Sequence, residues 1–123
     1  CHNTGIEQHR LATACQDYWS GEICRLNYLP RGELTPSGLP WYAFVSWHGD
    51  SRKPQCGVWV MDRENRPFDW PPPPTESVVR FIRRFHAVGG VPAFNLLCYQ
   101  DGRILESDLD VMRNLARALG RTR

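Results

Sequence analysis

Length, composition and charge place this chain among ordinary globular proteins. It has 123 residues, a mass of 14.2 kDa, 41% hydrophobic and 23% charged residues, and a mean hydropathy of -0.47. These values predict one domain over residues 1–123 and exclude a disordered composition, and no apolar run is long enough to span a membrane. The net charge of +2 is too small to indicate a nucleic-acid-binding protein by itself.

The N-terminal third of the chain predicts a helix followed by a loop. Residues 5–19 carry apolar side chains at spacings of three to five residues without a proline, and Thr4 and Glu7 have the spacing of a capping box. Residues 21–40 are rich in proline and glycine. We therefore expect an insertion-like loop there, with at most a short strand over residues 23–29.

The middle of the chain predicts a strand and a proline-rich connector. Residues 41–47 form a nearly continuous aromatic and β-branched run, which is typical of a buried central strand. Residues 57–61 are a second candidate strand. Pro67 and the prolines at 71–74 then predict an extended, non-helical connector over residues 63–74.

A second helix is expected after the prolines, with Thr75 as its N-cap and Gly89-Gly90 at its end. The side chains predicted to face inward are Val78, Val79, Ile82, Phe85 and His86. Residues 93–99 then predict an apolar strand. Asp101-Gly102 predicts a two-residue hairpin turn that leads residues 103–105 back antiparallel.

The last predicted helix covers residues 109–119, with Ser107 or Asp108 as its N-cap. The side chains expected to face the core are Leu109, Met112, Leu115, Ala116 and Leu119. Arg113 and Arg117 fall on the opposite, outer face. This end of the chain is basic, because residues 80–123 hold 8 basic and 4 acidic residues, whereas residues 1–79 hold 7 and 9.

The cysteines are five in number and widely spaced: Cys1, Cys15, Cys24, Cys56 and Cys98. A disulfide-built small domain is denser in cysteine, so we expect an intracellular protein, cytoplasmic or organellar, with the mitochondrion among the organelles. Cys98 lies in an apolar run and is expected to be buried. The first 24 residues contain three cysteines and two histidines, but no Cys-Cys pair has the close spacing of zinc sites. We therefore expect neither a metal nor a cofactor.

Several short motifs between residues 41 and 106 stand in a characteristic order. They are Phe44-Val45-Ser46-Trp47, Arg66-Pro67-Phe68-Asp69, a helix over residues 77–86, Val88-Gly89-Gly90-Val91-Pro92-Ala93-Phe94 and Asp101-Gly102-Arg103-Ile104. Their order and spacing resemble those of tryparedoxins and nucleoredoxins. The resemblance implies an α/β fold, a thioredoxin-like three-layer α/β/α sandwich with a mixed sheet. It also implies a cis Val91–Pro92 peptide, for which a trans proline at the start of an edge strand is the alternative.

The same resemblance implies that Cys1 and Pro92 are the catalytic residues. Cys1 matches the nucleophilic cysteine of the family, and Pro92 matches the proline that faces the active-site cysteines. Thr4 stands where the family has its resolving cysteine, so the dithiol cycle lacks its second sulfur. A cysteine just before a helix still has its thiolate favoured, so a thiol-disulfide oxidoreductase that uses Cys1 as a monothiol nucleophile is the alternative function.

Because function belongs to sites and not to folds, the missing cysteine favours a degenerate thioredoxin-like domain that acts as a protein-binding or structural subunit. Its expected partner is a protein or a larger assembly, and we do not expect it to bind a membrane. The expected binding residues are Trp47, Val91, Arg113 and Arg117. The tryptophans expected to be exposed for docking are Trp41, Trp59 and Trp70. Contact between RNA phosphates and the basic C-terminal end is a weaker hypothesis.

Overall fold

The computed structural model describes residues 3–46, 72–96, 98, 99 and 101–120. In this part of the chain four strands form one parallel sheet in the order β1-β2-β3-β4. The elements are β1 (Asn3–Ile6), β2 (Trp19–Ile23), β3 (Trp41–Ser46), α1 (Thr75–His86), β4 (Val91–Asn95) and α2 (Glu106–Ala118). The α/β class is confirmed, whereas the three-layer sandwich and the mixed sheet stay predictions. Neither described helix is long and apolar enough to cross a membrane.

Strand β3 lies inside the sheet, which confirms the central strand predicted from its aromatic and β-branched run. It pairs with β2 on one side and with β4 on the other. Trp41, Ala43 and Val45 are buried. They share one face, because successive side chains of a strand point to opposite sides of the sheet. Trp41 is therefore a core residue and not the exposed docking residue that the sequence predicted.

The main core lies between this face of the sheet and α1. Phe81 and Phe85 of α1 are fully buried, with their ring centroids 4.6 Å apart, and they pack with Trp19 and Ile23 of β2. The Trp19 indole lies directly over Gly21, where an added Cβ would come within 2.0 Å of the ring. Glycine is thus the residue that lets a tryptophan lie flat on its own strand.

Helix α1 confirms the helix predicted after the prolines, with corrections at its start and on its buried face. Pro74 is the N-cap and makes no side-chain hydrogen bond to the helix, so Thr75 is the first helical residue and not the cap. Phe81 is buried although the predicted stripe omits it, and His86 is exposed although the stripe includes it. Phe81 follows Val78 by three residues and precedes Phe85 by four, which places all three on one face.

Helix α2 packs on α1, where Val111 and Leu115 meet Val78 and Val79. It begins earlier than predicted, with Leu105 as its N-cap, so Ser107 and Asp108 lie in its first turn. Asp108 is fully buried there, and Met112, which was expected to face the core, is 40% exposed. The buried face runs through Asp108, Val111 and Leu115, so Val111 faces inward where Met112 was expected.

The helix predicted over residues 5–19 is wrong. Strand β1 occupies its start, β2 begins at its end, and residues 7–18 form an irregular segment between them. Gly5 and Glu7 have φ values of 93° and 50°, which a right-handed helix does not contain. Leu11, part of the apolar pattern that suggested the helix, is 54% exposed.

The loop predicted over residues 21–40 begins later, because β2 continues to Ile23. Residues 24–40 are otherwise without a strand or helix, so the strand considered over 23–29 is not formed. A single bridge between Leu34 and Pro40 closes the second half of this loop. The candidate strand over residues 57–61 and the first part of the proline-rich connector lie outside the described residues.

The C-terminal strand and turn differ from the sequence prediction in the Val91–Pro92 peptide and in the expected hairpin. No peptide bond among the described residues is cis, so Val91–Pro92 is trans, against the cis bond that the resemblance implied. A turn is present here, but the Tyr99 N–H donates to the Arg103 carbonyl at 2.8 Å and the Gly102 N–H to the Tyr99 carbonyl at 2.9 Å, so three residues and not the predicted two separate the paired ends. One antiparallel bridge between Cys98 and Ile104 takes the place of the expected hairpin strand.

Candidate functional site

A pocket of about 1000 Å³ lies where the long loop after β2 meets the first residue of β3 and the last turn of α1. Loop residues 27–32 and 34–36 form most of its wall, and His9, Trp41 and Arg84 complete it. Because Trp41 opens β3, the pocket lies toward the amino ends of the strands. We call this site the aromatic pocket.

Ring stacking holds the inner wall of the aromatic pocket together. The ring of His9 lies 4.7 Å from that of Trp19, 5.2 Å from that of Trp41 and 6.0 Å from that of Tyr28, measured between centroids. Trp19 and Trp41 also meet edge to face at 5.4 Å. The Trp19 indole N–H donates to the Gln8 carbonyl at 2.6 Å, which fixes the segment that carries His9. The wall is therefore continuous with the core.

Backbone carbonyls of the loop anchor it to the sheet and to α1. The Trp41 indole N–H donates to the Gly32 carbonyl at 3.0 Å, and the Arg84 Nε–H donates to the Pro30 carbonyl at 3.0 Å. Inside the loop, the Thr35 N–H donates to the Leu39 carbonyl at 2.8 Å. These bonds hold a segment without helix or strand in one conformation, because each satisfies a backbone group that burial would otherwise leave unpaired.

His9 and Tyr28 form a hydrogen-bonded pair in the wall, between His9 Nε2 and the Tyr28 hydroxyl. Burial lowers the pKa of His9, against a smaller opposing effect of the Glu7 carboxylate. Burial also raises the pKa of Tyr28, with Glu7 acting in the same direction and the nearby Arg25 and Arg31 against it. Both groups are therefore neutral at pH 7.

One hydrogen-bond donor of this pair is not used. The other ring nitrogen, His9 Nδ1, is buried without a hydrogen-bond partner among the described residues. If Tyr28 donates to Nε2, the unused donor is the N–H at Nδ1; if Nε2 donates, it is the hydroxyl proton of Tyr28. Because Nδ1 is buried, only the tautomer in which Nε2 donates leaves a donor, the Tyr28 hydroxyl, that a ligand oxygen can reach.

The charge of the aromatic pocket is positive. Arg31 and Arg84 line it, and none of the described residues in its lining is aspartate or glutamate. Glu7, which acts on the pKa of both His9 and Tyr28, is occupied by Arg25, whose guanidinium donates two hydrogen bonds to it at 2.9 and 2.6 Å. The pocket thus offers two cationic groups to an anion.

The residues predicted from the sequence lie elsewhere. Val91 and Pro92 belong to β4, where Val91 is 50% exposed and Pro92 faces Ala43 of β3 in the register. Neither lines the aromatic pocket. Cys1 and Trp47 lie outside the described residues, as do Trp59 and Trp70.

The two predicted binding arginines lie on the outer face of α2. Arg113 donates to Glu106 and to Asp110, at 2.7 Å in both cases, and Arg117 donates to the side chain of Asn114 at 3.2 Å. The ion pairs raise the pKa of Arg113, with the hydrogen bond to Glu106 as the largest cause. The structure does not bring these arginines together with Val91, Pro92 or the aromatic pocket.

The described cysteines do not form a redox pair. Cys15 and Cys98 are free and exposed, which corrects the expectation that Cys98 is buried. Cys24 is disulfide-bonded. Within residues 3–46, 72–96, 98, 99 and 101–120, no group of histidine, cysteine, aspartate and glutamate side chains could hold a metal ion.

No protein-family model, curated protein or solved structure matches this chain. The function is therefore argued from the chemistry of the aromatic pocket. The sequence reasoning missed its residues because it placed His9 in a helix and Tyr28 in a featureless loop. A usable signal was present, since Tyr28, Pro30, Arg31 and Trp41 bring aromatic, rigid and cationic residues close together in the sequence.

Proposed function

We propose that this chain is a protein-binding module whose binding site is the aromatic pocket. The observation that carries the proposal is the combination of tyrosine, tryptophan and arginine in one cavity, at Tyr28, Trp41, Arg31 and Arg84. These three residue types dominate the energetics of protein interfaces, because each combines a large contact area with a polar or charged group. The loop bonds described above preorganise them, which lowers the entropy cost of binding.

The proposal keeps the degenerate thioredoxin-like domain as its architectural hypothesis. In support, the central strand, α1, the strand that begins with Val91–Pro92, the turn and the closing helix follow one another as expected. The parallel strands and the trans peptide are departures from what the resemblance implied. An experimental structure that includes residues 47–71 tests the three-layer sandwich and the mixed sheet directly.

The alternative function, monothiol exchange at Cys1, stays a prediction because Cys1 lies outside the described residues. Monothiol exchange requires a free thiol at Cys1. The disulfide at Cys24 makes this requirement testable, because the cysteine bonded to Cys24 can be identified. Peptide mass spectrometry of the non-reduced protein identifies the partner of Cys24, and a Cys1–Cys24 bridge excludes a resting Cys1 thiolate. Disulfides persist in oxidising compartments, so within the predicted intracellular location this bond weighs against the cytoplasm.

A peptide selection tests the binding function. Leu34 lines the pocket and is 53% exposed, so Leu34→Asp places a charge in the pocket without disturbing the core. Leu11→Asp is the matched control, because Leu11 is 54% exposed and does not line the pocket. Peptides selected from a random library on the unmodified protein should lose binding to Leu34→Asp and keep it to Leu11→Asp. A library that yields no binder, or binders indifferent to Leu34→Asp, contradicts the proposed function.

A further inference from the structure

The two arginines of the aromatic pocket differ from several others in the described chain by the absence of a carboxylate partner. Arg25, Arg103 and Arg113 each form an ion pair with an acidic side chain. Arg31 has no such pair within the described residues, and Arg84 uses its Nε–H on the Pro30 carbonyl, a neutral acceptor. The hydrogen bond therefore fixes the Arg84 guanidinium, and none of the described residues supplies a carboxylate to its charge.

The Tyr28 hydroxyl, when His9 Nε2 donates to it, adds one neutral donor to this charge pattern. Two guanidinium groups and one neutral donor together favour a ligand group that carries several acceptor oxygens and a negative charge. A carboxylate meets that description. An ammonium or guanidinium group does not, because the lining offers it no acidic side chain.

The remaining wall is suited to an apolar or aromatic group beside the anion. Tyr28 is half-buried and contributes ring surface, Trp41 adds only the small part of its ring that burial leaves at 5% exposure, and Leu34 is 53% exposed. Aromatic pairs gain energy beyond the area that they bury. The volume of about 1000 Å³ is at the upper end of ligand pockets, which leaves room for more than one side chain.

We infer that the aromatic pocket recognises an acidic side chain next to an aromatic one in a peptide segment of a protein partner. This inference rests on the proposed function and specifies its partner. Arg31 and Arg84 bind the carboxylate, and the rings of Tyr28 and Trp41 with Leu34 receive the aromatic side chain. Charge complementarity selects the acidic segment over a neutral or basic one.

Titration calorimetry with defined peptides tests the inference. The probe is a four-residue peptide, capped at both ends, with aspartate and glutamate between two phenylalanines. Its neutral counterpart has asparagine and glutamine in place of the acids. The unmodified protein should bind the acidic peptide at least tenfold more tightly than the neutral one. Equal affinity for the two peptides would overturn the inference.

The residues are tested by Arg31→Gln combined with Arg84→Gln. The matched control is Arg10→Gln combined with Arg80→Gln, which removes the same charge from two exposed arginines outside the pocket lining. The pocket variant should lose at least tenfold in affinity for the acidic peptide, and the control should stay within twofold. Equal losses in both variants would show a net-charge effect and overturn the assignment. Arg84→Lys, which keeps the charge, guards against a folding artefact and should retain a preference for the acidic peptide.

Two further experiments distinguish the acidic peptide from a free small-molecule ligand and from a peptide without acidic residues. Phenylacetate and phenyl phosphate carry the same chemistry as free small molecules, and binding of either more tightly than the acidic peptide would overturn the peptide assignment. In the library selection described above, pocket-dependent binders without an acidic residue would contradict the inference and leave the proposed function standing. The absence of any pocket-dependent binder would contradict both.

Discussion

The aromatic pocket and the outer face of α2 both present two arginines, but of these two surfaces only the α2 face pairs an arginine with acidic side chains among the described residues. On the outer face of α2, Arg113 lies between Glu106 and Asp110, which together outweigh its charge. In the pocket, Arg31 and Arg84 share the lining with Tyr28 and Trp41, and none of the described lining residues is acidic. Arginine count alone therefore does not identify a binding surface, and the neighbours of each arginine decide its availability.

The two surfaces also differ in how they are connected to the core. The rings of the pocket wall contact Trp19, and Trp19 lies over Gly21 in the sheet. The α2 arginines are exposed and bonded only within their own helix. A change in the core should consequently reach the pocket, whereas α2 can lose its surface charges without consequence for the fold.

Charge reversal should give the largest difference between the two surfaces. Arg31→Glu combined with Arg84→Glu should abolish detectable binding of the acidic peptide and create binding of a peptide with two lysines in place of the acids, because the carboxylates repel one probe and attract the other. Arg113→Glu combined with Arg117→Glu, with the same change in net charge, should keep the affinity within twofold. Calorimetry with both peptides measures this, and a loss of binding in the α2 variant would contradict the comparison.

Gly21→Ala should be the next largest effect. The added Cβ would overlap the Trp19 indole at 2.0 Å, and the ring is fully buried, so we expect a loss of about 3 kcal/mol in the free energy of unfolding. Gly32→Ala is the control, because its Cβ would meet nothing closer than 3.9 Å. Urea unfolding gives both values. A Gly21→Ala protein as stable as Gly32→Ala would show that Trp19 does not hold the position described.

Removal of the loop anchor at Trp41 should have a smaller effect. Trp41→Phe keeps an aromatic ring in the core but deletes the indole N–H that donates to the Gly32 carbonyl. We expect about 1 kcal/mol less stability from the lost hydrogen bond. Affinity for the acidic peptide should fall as well, because the loop is less well fixed. Unchanged affinity would show that the loop is preorganised without this bond.

Acid should weaken the pocket region through His9. Burial lowers the pKa of His9, so below its ordinary value of 6.5 the unfolded chain binds a proton that the folded chain does not. The free energy of unfolding should therefore fall as the pH drops below 6.5. In the His9→Phe variant it should fall less steeply. His86→Gln, a change at an exposed histidine of α1, serves as the control. Urea unfolding at pH 7.5 and 5.5 measures the slopes, and identical slopes for His9→Phe and the unmodified protein would contradict the burial of this ring.

The smallest effect is expected on the α2 face. Arg113→Gln should leave the thermal unfolding temperature unchanged within error, because both of its ion pairs are solvent-exposed and such pairs contribute little to stability. The same variant should bind the acidic peptide as the unmodified protein does. A clear loss of stability would show that the charge network on α2 has a structural role.

The fold could be predicted where the apolar pattern of a single strand or helix was enough to identify it. The run from Trp41 to Ser46 and the apolar spacing of α1 were sufficient, because a buried strand and an amphipathic helix leave strong periodic signals. The region before Trp41 was misjudged because residues 5–19 mimic a helical spacing. The positive φ values at Gly5 and Glu7, which break that helix, depend on the pairing of β1 with β2 and not on local propensity.

The candidate site could not be derived from local patterns. His9, Tyr28, Trp41 and Arg84 are separated in turn by 19, 13 and 43 positions in sequence and meet only after the sheet and α1 have formed. The resemblance directed attention to Cys1 and Pro92 instead. The basic composition of the C-terminal end suggested Arg113 and Arg117, although the acidic residues one helical turn away were also visible in the sequence.

Nuclear magnetic resonance mapping of the acidic peptide on the isotopically labelled protein tests the central claim most directly. The account predicts shifts of the Trp41 indole N–H and of backbone amides in residues 27–36, with the amides of Arg113 and Arg117 unchanged. Saturable shifts confined to α2, or spread over the exposed arginines without the Trp41 indole, would contradict the assignment of the aromatic pocket as the binding site.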